Sequence, residues 1–233
     1  MDGVLLVDKP QTWTSNDVCQ FVKKKFRFKK VGHAGTLDPN ATGLMVLLIN
    51  KATKLADSFL VDDKDYEGEL KLGLKTSTGD SEGDIVETKN IEAITQSLIF
   101  GLTNVFKGDM KQVPPMTSAL KKNGVRLYKL ARKGKVVPRE PRSVTIHGFK
   151  INKIMIPLVQ FFVSVSKGFY VRTLAEDIGE HLGCGAMLTS LRRVRSGKFL
   201  LEEAVTIDTL RLLETVDELV PYINGYELNN ASR

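Results

Sequence analysis

The sequence predicts an α+β protein in which a central, largely antiparallel mixed sheet is flanked by helices. Three features predict it. Residues 65–72 (DYEGELKL) and the stretch QFFVSVS within 158–166 alternate apolar and polar side chains, the period of a half-buried strand. Two strand-like stretches, 143–156 and 158–166, follow one another across a very short turn, which fits antiparallel pairing. Other segments carry the helical period: Val18, Phe21, Val22 and Phe26, and later Val171, Leu174, Ala175 and Ile178.

Along the chain, residues 3–8 (GVLLVD) read as a strand that Lys9-Pro10 ends. Ser15 or Asn16 can cap the helix that follows. The unbroken apolar run LMVLLI before Asn50 reads as a buried strand, and a short helix is expected around 52–59. Beyond the alternating strand at 65–72, the stretch TSTGDSEGD at 76–84 is turn chemistry throughout. A helix at about 91–100 and a strand near 104–110 lead to Pro114-Pro115, which breaks the chain. Val125 to Lys133 can form a helix stopped by Gly134. The two paired strands come next, then a helix over about 171–182 that ends at Gly183. Arg192 to Lys198 suggests a strand or a turn, and the acidic segment 201–223 reads as small helices.

With 233 residues and a hydrophobic fraction of 42%, the chain has the length and composition of a soluble globular protein. It has neither an apolar stretch long enough for a membrane span nor an N-terminal signal pattern, so a cytoplasmic protein is expected. Cys19 and Cys184 lie far apart outside any Cys/His pattern, which points to reduced, buried thiols rather than a disulfide or a zinc site.

Lys and Arg number 34 against 27 acids, a net charge of +7 that suggests a polyanionic partner. The distribution says more than the total. Residues 23–30 (KKKFRFKK) hold six cations in eight positions, and 121–142 hold nine cations, among them Lys121, Arg132 and Arg142, with Glu140 as the one acid. Arg192, Arg193, Arg195 and Lys198 form a third group. Any one run is ordinary for a solvated face, but three runs beside Gly-rich or special stretches favour phosphate-backbone binding. The acids gather at 57–69 and 80–87, as faces turned away from nucleic acid.

The loop at 30–43 (KVGHAGTLDPNATG) is neither helix nor strand, because its three glycines and one proline oppose both. Asp38 sits on it before Pro39, which pushes Asp38 toward extended geometry and aims its side chain away from the following chain. An Asp-Pro pair is also the signature of a tight connection whose carboxylate caps backbone N–H groups. A second constellation, Lys167-Gly168-Phe169-Tyr170-Val171-Arg172, falls where a strand hands over to a helix. A cation in a first helical turn opposes the helix dipole, so Arg172 needs an acid, and Asp38 is a candidate.

These stretches resemble the TruB family of tRNA pseudouridine synthases. The resemblance rests on Leu6-Val7-Asp8-Lys9-Pro10 with Thr14-Ser15, the loop Gly32-His33-Ala34-Gly35-Thr36-Leu37-Asp38-Pro39 with Ala41-Thr42-Gly43, and Tyr66-Glu67 with Leu72-Gly73. It continues through Thr78-Gly79-Asp80 with Gly83, Gln112-Val113-Pro114-Pro115 with Ser118-Ala119, and Lys167 to Ala175 with Asp177 and Gly179. Each is weak alone; the loop followed at a distance by the KGFYVRTLAED segment is specific.

The resemblance implies the pseudouridine synthase fold and isomerisation of uridine 55 in the T arm of tRNA, without cofactor or metal. It implies Asp38 as the catalytic aspartate, Arg172 as its salt-bridge partner, Tyr66 against the target base and Tyr170 shaping the pocket. His33 would fill the space the base leaves, Lys9 and Pro10 would brace the loop, and Gly32, Thr36 and Leu37 would belong to the RNA-binding surface. Without the family, Tyr66 reads as a strand-core tyrosine and His33 as a loop histidine bonded to backbone. Moving uracil from an N-glycosidic to a C–C link requires it to be detached, rotated and rejoined in one pocket, and a single carboxylate can serve by attacking sugar or base or by taking a sugar proton. Base extraction costs a few kcal/mol of unstacking, which an aromatic and a wedge offset.

The chain departs from the family pattern at Thr12-Trp13, where a small residue such as Gly is usual, and at Met116-Thr117, where Tyr-Ser is usual. Residues 1–223 are expected to form the catalytic domain and 224–233 a short tail, too short for the PUA domain many bacterial members carry. A monomer acting on tRNA without guide RNA or membrane is expected. The competing reading is a non-catalytic RNA-binding or tRNA-folding protein, which explains the cations but not the Asp38 loop. A metal-dependent nuclease is disfavoured, since the acids of the special loops stand singly.

Overall fold

The computed structural model describes residues 1–224. The expected tail at 224–233 lies outside the described residues apart from Asn224. The chain divides into two compact units, one made of Met1–Tyr66 with the segment from Leu191 onward, the other of Glu67–Ser190. No helix among the described residues is long and apolar enough to cross a membrane.

In the first unit, β1 (Gly3–Lys9) leads into α1 (Ser15–Lys25), β2 (Val31–His33) and β3 (Thr42–Ile49). A 3-10 turn (Asn50–Leu55) and α2 (Ala56–Leu60) then precede β4 (Lys64–Leu72). β1 and β3 pair antiparallel from Gly3↔Ile49 to Lys9↔Gly43, and β2 pairs antiparallel with β3. β3 is buried along nearly its whole length, which is why its sequence is an unbroken apolar run rather than an alternating one. Val4, Leu6, Leu44, Val46 and Leu48 pack with Ala52, Phe59 and Phe199 in one core cluster.

α1 starts one residue earlier than expected. Thr14, not Ser15 or Asn16, is the cap: its hydroxyl accepts from the Asp17 N–H while the Asp17 carboxylate accepts from the Thr14 N–H. Ser15 is instead turned inward, toward the Asp38 loop. The hydrogen bonds from Thr14 hold the Asp17 carboxyl below its ordinary pKa.

In the second unit, β5 (Leu74–Thr76) and β6 (Ile85–Thr88) form a hairpin around the expected turn. α3 (Gln96–Val105) begins later than the expected 91–100 because Thr95 caps it, accepting from the Leu98 N–H. β7 is displaced in turn, to Gly108–Gln112. The basic segment forms a two-residue ladder of β8 (Lys121–Lys122) and β9 (Val125–Arg126), followed by α4 (Leu127–Ala131), shorter than the expected helix. β10 (Arg142–Met155) and β11 (Leu158–Val165) pair antiparallel as expected, β7 adds to β10, and the order is β4-β11-β10-β7. Gly68 of β4 makes room for Phe161 of β11, since a Cβ there would stand 2.5 Å from the ring.

α5 (Val171–His181) buries Val171, Leu174, Ala175 and Ile178, the predicted face. β12 (Ala186–Ser196) is longer than the sequence suggested and runs, like β4, from one unit into the other. The first unit closes with β13 (Phe199–Leu200), β14 (Val205–Thr206), α6 (Ile207–Leu212), α7 (Val216–Leu219) and β15 (Ile223–Asn224). Its sheet order is β14-β1-β3-β12, with β14 parallel to β1 and β12 parallel to β3. The strands are mostly antiparallel and accompanied by helices, the α+β class expected from the sequence.

Candidate active site

The residues singled out in the sequence fall into one group in each unit. In the first, the loop from His33 to Gly43 is fastened from several sides. The Ser15 hydroxyl receives the Leu37 N–H at 2.8 Å and donates to the Leu37 carbonyl at 3.0 Å. The Lys9 ammonium, fully buried, donates to the carbonyls of Pro10, Trp13 and Pro39. The Thr12 N–H reaches the same Pro39 carbonyl at 2.9 Å. Asp38 itself opens a turn in which its carbonyl accepts from the Ala41 N–H at 3.1 Å, with Pro39 pre-set for the bend. Leu37 is buried, Asp38 and His33 are half-buried, Thr36 is exposed, and Gly32 lies on β2 opposite Leu48. Lys9 and Pro10 also line a cleft of about 360 Å³ with Asp8, Trp13, Thr42 and Arg192. Tyr66 is buried on β4.

β12 supplies the remaining fasteners. Of the expected phosphate-binding group Arg192, Arg193, Arg195 and Lys198, the three arginines each have partners within the protein, and Arg193 alone of the three is fully buried. Arg192 grips Asp8 with both Nη atoms and touches the Thr42 hydroxyl. Arg195 forms a bidentate pair with Asp65 at 2.6 and 2.7 Å, beside Tyr66 in the chain. Arg193, 1% exposed, donates to the carbonyls of Leu44 and Gly35.

In the second unit, Arg172 is buried at the start of α5. Its Nη1 lies 3.3 Å from Asp80 Oδ2 and donates to the Thr117 hydroxyl at 2.6 Å, while Nη2 donates to the Thr117 carbonyl. Asp80 is held in turn: Oδ1 accepts from the Thr78 hydroxyl and the Glu82 N–H. The sequence groups Asp80 with acids on a face turned away from nucleic acid; in the structure its side chain is 13% exposed and meets Arg172 instead of solvent. The signal was present in Thr78-Gly79-Asp80, but the surrounding turn residues hid it. Thr117 stands where Ser is usual, and its hydroxyl accepts from the Arg172 guanidinium. Tyr170 stands at the N-cap position of α5, and its backbone is held by Gln112, whose amide both donates to its carbonyl and accepts from its N–H. Gln112, which the sequence marks only as the start of the Gln112-Val113-Pro114-Pro115 stretch, thus positions Tyr170. Lys121, Arg132 and Arg142 are exposed. Among the described residues no three His, Cys, Asp or Glu side chains are grouped to hold a metal ion.

Comparison with known families decides the identity. The description "TruB family pseudouridylate synthase (N terminal domain)" matches residues 23–171, and "tRNA pseudouridylate synthase B C-terminal domain" matches 172–221. The chain belongs to the TruB family. Among curated TruB relatives it is 46% identical to tRNA pseudouridine synthase B of Opitutus terrae, over 95% of this chain and 93% of that one. It is 50% identical to tRNA pseudouridine synthase B of Burkholderia pseudomallei, over 90% of this chain and 69% of that one. Among solved structures it resembles a chain of "Crystal Structure of a Cbf5-Nop10-Gar1 Complex" at 30% identity and a TM-score of 0.70, covering 88% of this chain and 52% of that one. It also resembles one of "Crystal structure of the archaeal box H/ACA sRNP Nop10-Cbf5 complex" at 27% identity and a TM-score of 0.68, covering 95% and 57%. The chain thus spans about half the length of those solved relatives.

Proposed function

We propose that this TruB-family chain is a tRNA pseudouridine synthase that isomerises uridine 55 of the T arm, acting as a single chain without a guide RNA. The N1–C1′ bond breaks, the uracil turns, a C5–C1′ bond forms, and the proton lost from C5 is balanced by one gained at N1. Asp38 is the catalytic carboxylate, and Arg172 is the cation that keeps it ionised and directed. Asp80, Thr78 and Thr117 hold that guanidinium in place, so its bearing does not depend on substrate. Tyr66 lies against the base and helps to move the C5 proton, Tyr170 shapes the pocket, and His33 fills the space the base vacates. Gly32 and Thr36 contact the RNA beside the loop, the buried Leu37 of the expected surface supports them from beneath, and Lys121, Arg132 and Arg142 bind its phosphates.

The observation that carries this reading is the Asp38 loop, held by Lys9, Thr12, Ser15 and Arg193 around one carboxylate. A turn that merely connected β2 to β3 would not need a buried ammonium and a buried guanidinium to set its shape. The test is to incubate unmodified tRNA with the native chain and with Asp38→Asn, map pseudouridine, and measure tRNA binding. The native chain is expected to modify position 55; Asp38→Asn is expected to lose turnover while still binding tRNA. Modification elsewhere would refute the substrate position, and turnover by Asp38→Asn would remove Asp38 from the mechanism. A native chain that binds and refolds tRNA without modifying it would establish the non-catalytic reading.

A further inference from the structure

Arg193 stands out among the described residues because it is a fully internal guanidinium whose hydrogen bonds go to the main chain on either side of Asp38. Its Nε donates to the Leu44 carbonyl at 2.7 Å, just after the Asp38 loop, and its Nη2 donates to the Gly35 carbonyl at 3.2 Å, just before Asp38. The two ends of the loop are therefore joined through one planar group. Both glycines that bound the loop back onto this residue. Gly35 has φ +99°, and a Cβ there would stand 3.2 Å from Arg193 Nη1 and 3.6 Å from Lys64 Cε. Gly43 has φ +99° too, and a Cβ there would meet the Arg193 carbonyl at 2.4 Å. β12 fixes Arg193 in turn by parallel pairing, with Arg192 opposite Thr42 and Arg193 opposite Gly43.

Burying a guanidinium carries a desolvation cost that an apolar side chain of similar size avoids. A lysine would have to reach both carbonyls from one nitrogen, whereas the planar guanidinium addresses them from two separate nitrogens, Nε and Nη2. The chain nevertheless uses arginine here, 1% exposed, beside the buried Lys64. The charge works on the loop, not on solvent or RNA.

We infer that Arg193 is a positioning residue for the isomerisation: its guanidinium ties Gly35 to Leu44 and thereby sets where the Asp38 carboxylate stands. This rests on the reading of Asp38 as the catalytic carboxylate. Arg193 does not touch substrate; it acts through the loop. A displacement of reacting groups by roughly 1 Å costs about 10²-fold in rate, and that is the loss expected when the tie is cut.

The experiment compares native chain, Arg193→Met and Arg193→Lys for kcat, KM on tRNA, and amide hydrogen exchange across residues 35–44. Arg193→Met is expected to lower kcat about 10²-fold with KM within about threefold, and to speed exchange at the Asp38 loop more than elsewhere. Arg193→Lys, which keeps charge and volume and is the variant to rely on if Met impairs folding, is expected to recover part of kcat and part of the exchange protection. A folded variant with native kcat overturns the inference. So does a raised KM at native kcat, which would make Arg193 an RNA contact, or a uniform rise in exchange, which would make it only a core residue. Asp38→Asn is measured alongside: turnover in that variant would sink the catalytic reading, while loop exchange in the Arg193 variants still reports the tie by itself.

Discussion

Thr12 holds a backbone conformation that glycine adopts without steric cost. Its φ is 72°, in the left-handed region that a β-branched residue rarely enters, and its N–H is tied to the Pro39 carbonyl. This is the position where the TruB pattern has a small residue, so the departure visible in the sequence has a local energetic meaning. Thr12→Gly is expected to stabilise the chain by about 1 kcal/mol in urea melts; equal or lower stability would mean that the threonine side chain earns its place by contacts that outweigh the strain. Asp38 was marked in the sequence by a loop whose glycines and proline oppose regular structure, and Arg172 by its place in the first turn of α5, where a cation calls for an acid. Asp80 was not, because a buried acid is recognisable only through the cation that meets it, and Arg172 lies far down the chain. For the same reason Arg193 and Arg195 read as surface charge: their partners, the Leu44 carbonyl and Asp65, are remote in sequence.

Helix α5 shows how an element can follow its period and still depend on one small residue. Gly179 lies within α5, and a Cβ there would stand 2.0 Å from the Ala186 backbone nitrogen. Alanine is the better helix former by about 1 kcal/mol, yet Gly179→Ala is expected to destabilise the chain by about 2 kcal/mol or more, because the turn before β12 must move. A gain in melting temperature would contradict that packing. The long periodic elements, β3, β4, β10, β11 and α5, were readable because burial on one or both faces imposes the pattern directly. α3 was misplaced because residues 91–94 are apolar enough to extend the helical period, whereas the Thr95 cap, a single hydroxyl, decides where the helix starts. β12 was underread because its arginines look like a charged turn until their acceptors are known.

Across the whole molecule, charge divides into an outward and an inward share, and each makes a prediction. Lys29 and Lys30, exposed beyond α1, belong to the outward share. Replacing both by Gln is expected to weaken tRNA binding and to make its dependence on salt shallower by about two in log–log slope; an unchanged slope would exclude that run from the phosphate contacts. Lys64 belongs to the inward share. Burial first, then the charge of Arg193, draws its pKa down from 10.5 to about 8. Between those values the unfolded chain binds more protons at this site than the folded one, so stability contributed there rises with pH through that window. Urea melts are expected to show the native chain gaining on Lys64→Met as pH climbs from 8 toward 10, and a constant difference would show that Lys64 keeps its ordinary pKa. The first unit is assembled from both ends of the chain, and Arg193 follows Gly35 by 158 residues. During synthesis on a ribosome, the loop that bears Asp38 therefore emerges long before the residues that give it shape, and β1 and β3 wait with bare edges for β14 and β12. A message cut short ahead of Leu191 yields no partial catalyst, only a sticky fragment for chaperones and proteases to clear.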